Sequence, residues 1–180
     1  MILIDHTALI LIDYQGKLAN VMYGRDELHE KMLQLIQGMQ ILEVPIIWLE
    51  QYPQGLGSTE NEVKNLLQQT YAPIAKMNFS ACGSKEVQEH LQMLDKKNYL
   101  VAGIEAHVCV YQTVCELLEA GKHVEFVQDA ISSRTAESKQ IAIDKMSLLG
   151  AYPTSVEMVL FELMQTAEHP KFKEISQLIK

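Results

Sequence analysis

The chain has 180 residues, 48% of them hydrophobic and 21% charged, which suits one globular domain with a sizeable core. A net charge of −8 disfavours a phosphate-backbone binder, whose affinity comes from clustered lysine and arginine. No apolar run approaches the ~20 residues of a membrane-spanning helix, Met1–Asp5 lacks the basic lead-in of a signal peptide, and three cysteines without Cys-x-x-Cys spacing suit a reducing cytoplasm.

Thr7–Asp13 is an apolar run ending in a carboxylate, as expected of a strand covered on both faces. Leu28, Met32, Leu35, Ile36 and Met39 predict a helix from about Arg25 to Leu42. Val44–Glu50 reads as the next strand, and Gln51–Ser58 as a loop rich in turn formers. Thr59 and Glu62 have capping-box spacing and predict a short helix that Pro73 ends. Ile74–Phe79 suits a short strand, and Ser84–Leu94 an amphipathic helix through Val87, Leu91 and Leu94. Tyr99–Gly103 predicts a buried central strand, followed by a helix that carries Cys109 and ends near Ala120, with Gly121 at its C-cap. His123–Asp129 reads as a strand ending in a second carboxylate, and Thr135–Leu149 as a helix ending at Gly150. Ala151–Pro153 reads as a brief extended piece. Thr154 and Glu157 repeat the capping-box spacing before a helix to about Thr166, and a polar surface tail is expected from His169.

Strand and helix alternate throughout, without repeats or linkers. The expected fold is a single α/β domain over residues 1–180: a three-layer α/β/α, Rossmann-like arrangement with a mostly parallel sheet. Right-handed crossovers align the strand C-terminal ends, and ligands bind there, near the reversal of strand order. Asp13 and Gly103 both fall on that edge.

Cys109, near a helix start, would lose its proton more readily there, and the thiolate is the nucleophilic form. It could equally be a small buried hydrophobe. Asp13 could be a base whose pKa is raised by burial, or an aspartate capping the next turn. Lys76, between apolar neighbours, could assist a thiolate, or simply extend its amine to the surface. Together the three name a nucleophile, a base and a cation on one sheet edge.

Three segments, Leu11–Gln15, Lys76–Ser80 and Gly103–Cys109, supported by Asp129–Ser133 and Gly150-Ala151, resemble those of the isochorismatase-like cysteine hydrolases, the superfamily of nicotinamidases and N-carbamoylsarcosine amidases. The similarity runs from about residue 5 to 165. It implies an Asp13–Lys76–Cys109 triad, a cis peptide at Ile104–Glu105, and an oxyanion hole built from the backbone N–H groups of Glu105 and Cys109. Gln15, Phe79 and Tyr111 are the candidate pocket residues.

The resemblance departs from nicotinamidases at their Asp-x-His metal pair. Here that stretch reads Trp48-Leu-Glu-Gln-Tyr-Pro53, and the six histidines show no ligand spacing. No metal and no cofactor are expected. Gln51–Gly57 looks like the metal-free branch. His107, two residues before Cys109, would not face it on a helix and reads as structural or subunit-contacting. Cys82 and Cys115 read as packing residues.

The expected activity is hydrolysis of a small amide or carbamoyl compound through a Cys109 thioester. The alternatives are a vinyl-ether hydrolase of the same fold, or a non-catalytic oligomeric scaffold. Met32, Met39, Met158 and Met164 suggest contacts between copies of the chain. The expected partners are a small-molecule substrate and a homo-oligomer, with no nucleic acid and no membrane.

Overall fold

The computed structural model describes residues 1–180. Six strands form one parallel sheet: β1 (Thr7–Ile12), β2 (Ile46–Gln51), β3 (Ile74–Lys76), β4 (Asn98–Ile104), β5 (His123–Ser132) and β6 (Tyr152–Thr154). Their order is β3-β2-β1-β4-β5-β6, so the chain reverses direction of winding between β1 and β4. The C-terminal ends of those two strands flank the crevice where such folds bind ligands.

β1 is buried along its whole length, and its residues divide by parity. Leu9 and Leu11 join one apolar cluster; Ala8, Ile10 and Ile12 join the other. That is the two-residue period of a strand covered on both faces. The first cluster packs under α2 (Arg25–Ile41), α4 (Asn61–Leu67), α8 (Val156–Met164) and α9 (Phe172–Leu178). The second packs under α5 (Lys85–Leu94), α6 (Tyr111–Glu119) and α7 (Ala136–Leu148). Short turns α1 (Gly16–Ala19) and α3 (Pro53–Leu56) lie at the C-terminal edge of the sheet, after β1 and β2. No helix is long and apolar enough to cross a membrane.

Several expectations need correction. Thr59 does not cap α4. Its hydroxyl donates to Glu50 Oε1 and accepts the Trp48 indole N–H, and Glu60 supplies the cap to Glu62 and Val63 N–H instead. Ser155, not Thr154, caps α8, accepting Met158 N–H. β5 runs past Asp129 to Ser132. Its ladder to β4 jumps from Val101–Phe126 to Gly103–Ile131, so the residues between Phe126 and Ile131 bulge out of register. The Asp129 carboxylate then accepts the Val156 N–H at the start of α8.

The tail is not merely surface. Ile175 of α9 is fully buried, and α9 packs on α2. Phe172, Ile175, Leu178 and Ile179 fall at helical spacing on its packed face, a period that the polarity of the surrounding stretch hides. Met32, Met39 and Met164 are also core residues of this chain; of the four methionines expected at contacts between copies, Met158 alone is exposed.

Candidate active site

Asp13 follows the last residue of β1 and has φ 49°, a left-handed conformation that aspartate tolerates better than most residues. Next to it, Gly103 of β4 has φ 120°, and a Cβ there would lie 2.0 Å from the Ile12 carbonyl oxygen. Only glycine lets β4 pass this close to the residue that precedes Asp13.

Lys76 ends β3. Its Nζ donates to Asp13 Oδ2 at 2.7 Å and to Gln51 Oε1 at 2.7 Å. The carbonyl oxygens of Asn78 and Phe79 complete its shell at 3.2 and 3.0 Å. The turn after β3 thus folds its carbonyls back onto the ammonium. The Asp13 and Lys76 side chains are 1% and 0% exposed, so this is a buried ion pair with each charge compensated.

Gln51 is held in turn. Its Nε2 donates to the Met77 carbonyl, and its backbone N–H donates to Gln15 Oε1. Gln51, Asn78 and Arg134 complete the site. Sequence reasoning passed over all three, because none is an unusual residue at its position and their roles depend on strands far apart in sequence.

Cys109 lies in a π-helical turn, Ala106–Val110, that leads into α6. Val110 N–H bonds to the Glu105 carbonyl at 3.2 Å, and Tyr111 N–H to the Ala106 carbonyl. The Cys109 carbonyl accepts the Thr113 hydroxyl at 2.7 Å, and that hydroxyl oxygen accepts Ala81 N–H at 2.9 Å. This ties the cysteine turn to the segment after Lys76. The Ile104–Glu105 peptide bond is cis. The Glu105 N–H donates to no acceptor within the protein. The Glu105 carboxylate accepts Arg134 Nε–H at 2.8 Å.

The electrostatics correct one expectation. Burial pushes the Cys109 thiol up to about 12, and the charge of Asp13 adds to this, against the opposing pull of Lys76. The helix start does not overcome desolvation, so the resting group is a thiol. Burial likewise raises the Asp13 carboxyl above its ordinary 3.8, while Lys76 and the neighbouring thiol hold it down. Asp13 Oδ1 is buried with no aligned donor in this resting geometry. A buried thiol beside a carboxylate of raised basicity is the arrangement in which a base takes the proton as the nucleophile reacts.

The structure brings Asp13, Lys76 and Cys109 together, with Glu105 in the turn before the cysteine. The pocket residues divide. Gln15 is fully buried, and its amide is consumed by Gln51 and the Gly57 carbonyl, so it is a brace and not a pocket wall. Tyr111 does not face the site either: its ring lies under Lys145 Nζ and borders a separate hollow with Cys115, Leu118 and Leu149. A helical residue two positions after Cys109 points elsewhere. Phe79 is half exposed, and its carbonyl touches Lys76. His107 Nδ1 pairs with Ser133 Oγ at 2.9 Å.

In the Trp48–Pro53 stretch the acid is Glu50. Glu50 is consumed by the N–H and hydroxyl of Thr59. No three His, Cys, Asp or Glu side chains are grouped to hold an ion.

A family model described as the isochorismatase domain matches residues 7–158. Isochorismatase family protein 1B of Dictyostelium discoideum is 34% identical over 179 residues, 98% of this chain and 87% of that protein. The secreted isochorismatase effector Isc1 of Phytophthora sojae is 36% identical over 185 residues, 99% of this chain and 87% of that protein. Among solved structures, the MAR1 ribonuclease of Caenorhabditis elegans superposes with a TM-score of 0.93 at 37% identity, covering 99% of this chain and 91% of that one.

Proposed function

Because the chain belongs to the isochorismatase family of hydrolases, we propose that it is a cysteine hydrolase cleaving the C–N bond of a small amide or carbamoyl compound. The observation that carries this reading is the buried Asp13–Lys76 pair set against the Cys109 thiol.

In this mechanism the Asp13 carboxylate takes the thiol proton as sulfur attacks the carbonyl carbon. The carbonyl π electrons move to oxygen, and the unpaired Glu105 N–H and the Cys109 N–H receive that oxyanion. Collapse breaks the C–N bond, and Asp13 passes its proton to the departing nitrogen. A water, deprotonated by Asp13, then attacks the thioester; the C–S bond breaks, the acid leaves, and sulfur regains the proton. Lys76 has no free N–H to offer substrate, since four acceptors surround three protons. Its part is to keep Asp13 ionised and fixed.

The test is ammonia release from a panel of small amides, ureas and carbamoyl compounds, by the wild type and Cys109→Ala, with mass spectrometry of the Cys109 peptide during turnover. The reading expects an acyl adduct on Cys109 and no turnover by the variant. Full turnover by Cys109→Ala would sink it.

A second reading follows from the name of the C. elegans neighbour, a ribonuclease. The net charge of −8 and the lack of a free basic group in the triad weigh against an RNA substrate. The same two proteins assayed on RNA decide it.

Three free cysteines support a reducing compartment such as the cytoplasm. Exposed Ile141, Leu148, Leu149 and Tyr152 support a homo-oligomer.

A further inference from the structure

Lys76 and Cys109 reach the site from strands that do not touch. Lys76 ends β3, Cys109 follows β4, and β2 and β1 lie between them. With neighbouring strands about 4.8 Å apart, β3 and β4 are separated by roughly 14 Å. Asp13, at the end of β1, stands between, paired to Lys76 on one side and set against the Cys109 thiol on the other. How the sulfur meets that carboxylate therefore depends on two turns built on separate strands.

One side chain joins these turns by hydrogen bonds. Thr113, in the first turn of α6, is fully buried. Its hydroxyl donates to the Cys109 carbonyl at 2.7 Å and accepts the Ala81 N–H at 2.9 Å. The first bond alone is ordinary, since threonine in a helix commonly bonds the carbonyl four residues back. The second is not local: Ala81 and Thr113 are 32 residues apart. No other hydrogen bond runs between residues 74–84 and residues 104–119. Ala81 anchors the far end of the segment that holds Lys76, whose Nζ donates to the Asn78 and Phe79 carbonyls. Thr113 thus holds the backbone of the cysteine with its proton and the lysine segment with its lone pair.

We infer that Thr113 is a positioning residue: through one hydroxyl it fixes the Cys109 turn relative to the Lys76 segment, and so sets the approach of the sulfur to the Asp13 carboxylate. The inference rests on the reading of Cys109 as nucleophile and Asp13 as its base. Valine has the shape of threonine without the hydroxyl. Thr113→Val therefore removes both side-chain bonds and leaves the Ala81 N–H buried without an acceptor. The two turns are then free to part, and a displacement on the order of 1 Å costs about 10²-fold in a reaction that needs alignment. Thr113→Ser keeps the hydroxyl and both bonds.

The test is the rate at which iodoacetamide alkylates each cysteine of the folded protein near neutral pH, followed by mass spectrometry of the three cysteine peptides. Sulfur forms the S–C bond, iodide leaves, and Asp13 takes the thiol proton. In the wild type Cys109 should react at least about tenfold faster than Cys82 and Cys115. In Thr113→Val, shown to be folded by circular dichroism, the Cys109 rate should fall by at least about tenfold while Cys115 reacts no faster. Thr113→Ser should stay within about threefold of the wild type. A purely structural hydroxyl would lower the urea midpoint and leave the rates of the folded protein unchanged. Thr113→Ala, which lets a water reach the Ala81 N–H, is the second variant should Thr113→Val not fold, and the same loss at Cys109 is expected of it. An undiminished Cys109 rate in the folded variant without the hydroxyl, or a serine variant as slow as that one, would overturn the inference while leaving the wild-type selectivity and the cysteine reading in place. Equal labelling of the three cysteines in the wild type would overturn both.

Discussion

Gly103 and Ile12 lie side by side in β4 and β1, so close that a single added carbon on Gly103 would lie 2.0 Å from the Ile12 carbonyl oxygen. The obstacle is backbone, which cannot swing aside as a side chain could. Gly103→Ala therefore meets both a clash and a positive φ of 120°. It should lower stability by about 3 kcal/mol or more, read by urea unfolding. A loss under about 1 kcal/mol would mean that β1 can move freely beside Asp13.

Lys76→Met removes the charge that compensates Asp13 in a fully buried setting. Asp13 is then left unpaired at a cost of about 3–5 kcal/mol, or takes up a proton. In the proposed mechanism a protonated Asp13 is no longer a base, and an unpaired one has lost the Lys76 bond that holds its carboxylate in place, so hydrolysis should fall by at least about 10³-fold. Adding Asp13→Asn should recover stability without recovering activity. Measured unfolding and turnover of the single and double variants check this; activity restored in the double variant would contradict it.

If Asp13 is the base of the proposed mechanism, its raised carboxyl sets the acid side of the pH profile. Asp13 must be ionised to accept a proton, and burial lifts it above 3.8. The acid limb of kcat/KM should fall away above that ordinary value. A limb at or below 3.8 in the wild type would show that Asp13 is not the base.

The thiol sets a stability trend at high pH. A thiol in the unfolded chain ionises near 9.0, whereas folded Cys109 holds its proton up to about 12. Between those values the folded state binds more protons, so stability falls as pH rises; below about 9 the contribution is complete. The stability difference between the wild type and Cys109→Ala should shrink by about 1–2 kcal/mol between about pH 8 and about pH 10.5. Unfolding curves at the two pH values measure it, and a flat difference would place the thiol in a more hydrated setting.

Ile175 anchors α9 on the α2 face. Ile175→Ala should cost about 2–4 kcal/mol, read as a lowered urea midpoint with little change in the acid limb of kcat/KM. An unchanged midpoint would return the tail to the surface role expected from its polarity.

The strands were legible in sequence because each is a short apolar run whose residues alternate between two buried faces, as Leu9 and Ile10 do. The helices were legible from their period, though not their caps. Thr59 and Thr154 have capping-box spacing, but neighbouring residues Glu60 and Ser155 cap α4 and α8. A spacing rule cannot see that Glu50 and Trp48 compete for the Thr59 hydroxyl. The candidate site was legible as three residue types in three segments. Gln15 and Tyr111 were misread because the direction of a side chain depends on what packs beside it.

By itself, then, the sequence determined the alternation of strand and helix, the parallel sheet, the family, and the three residues of chemical interest. Local periodicity and residue type carry that information along the chain. Only the tertiary structure decided that Cys109 rests as a thiol, that four acceptors confine Lys76, and that Gln15 is a brace. It also decided that the Thr113 hydroxyl joins the Cys109 turn to the segment after Lys76. Desolvation, ion pairing and side-chain direction are properties of what the fold brings together, and residues as far apart as Asp13 and Cys109 acquire them only once β1 and β4 lie side by side.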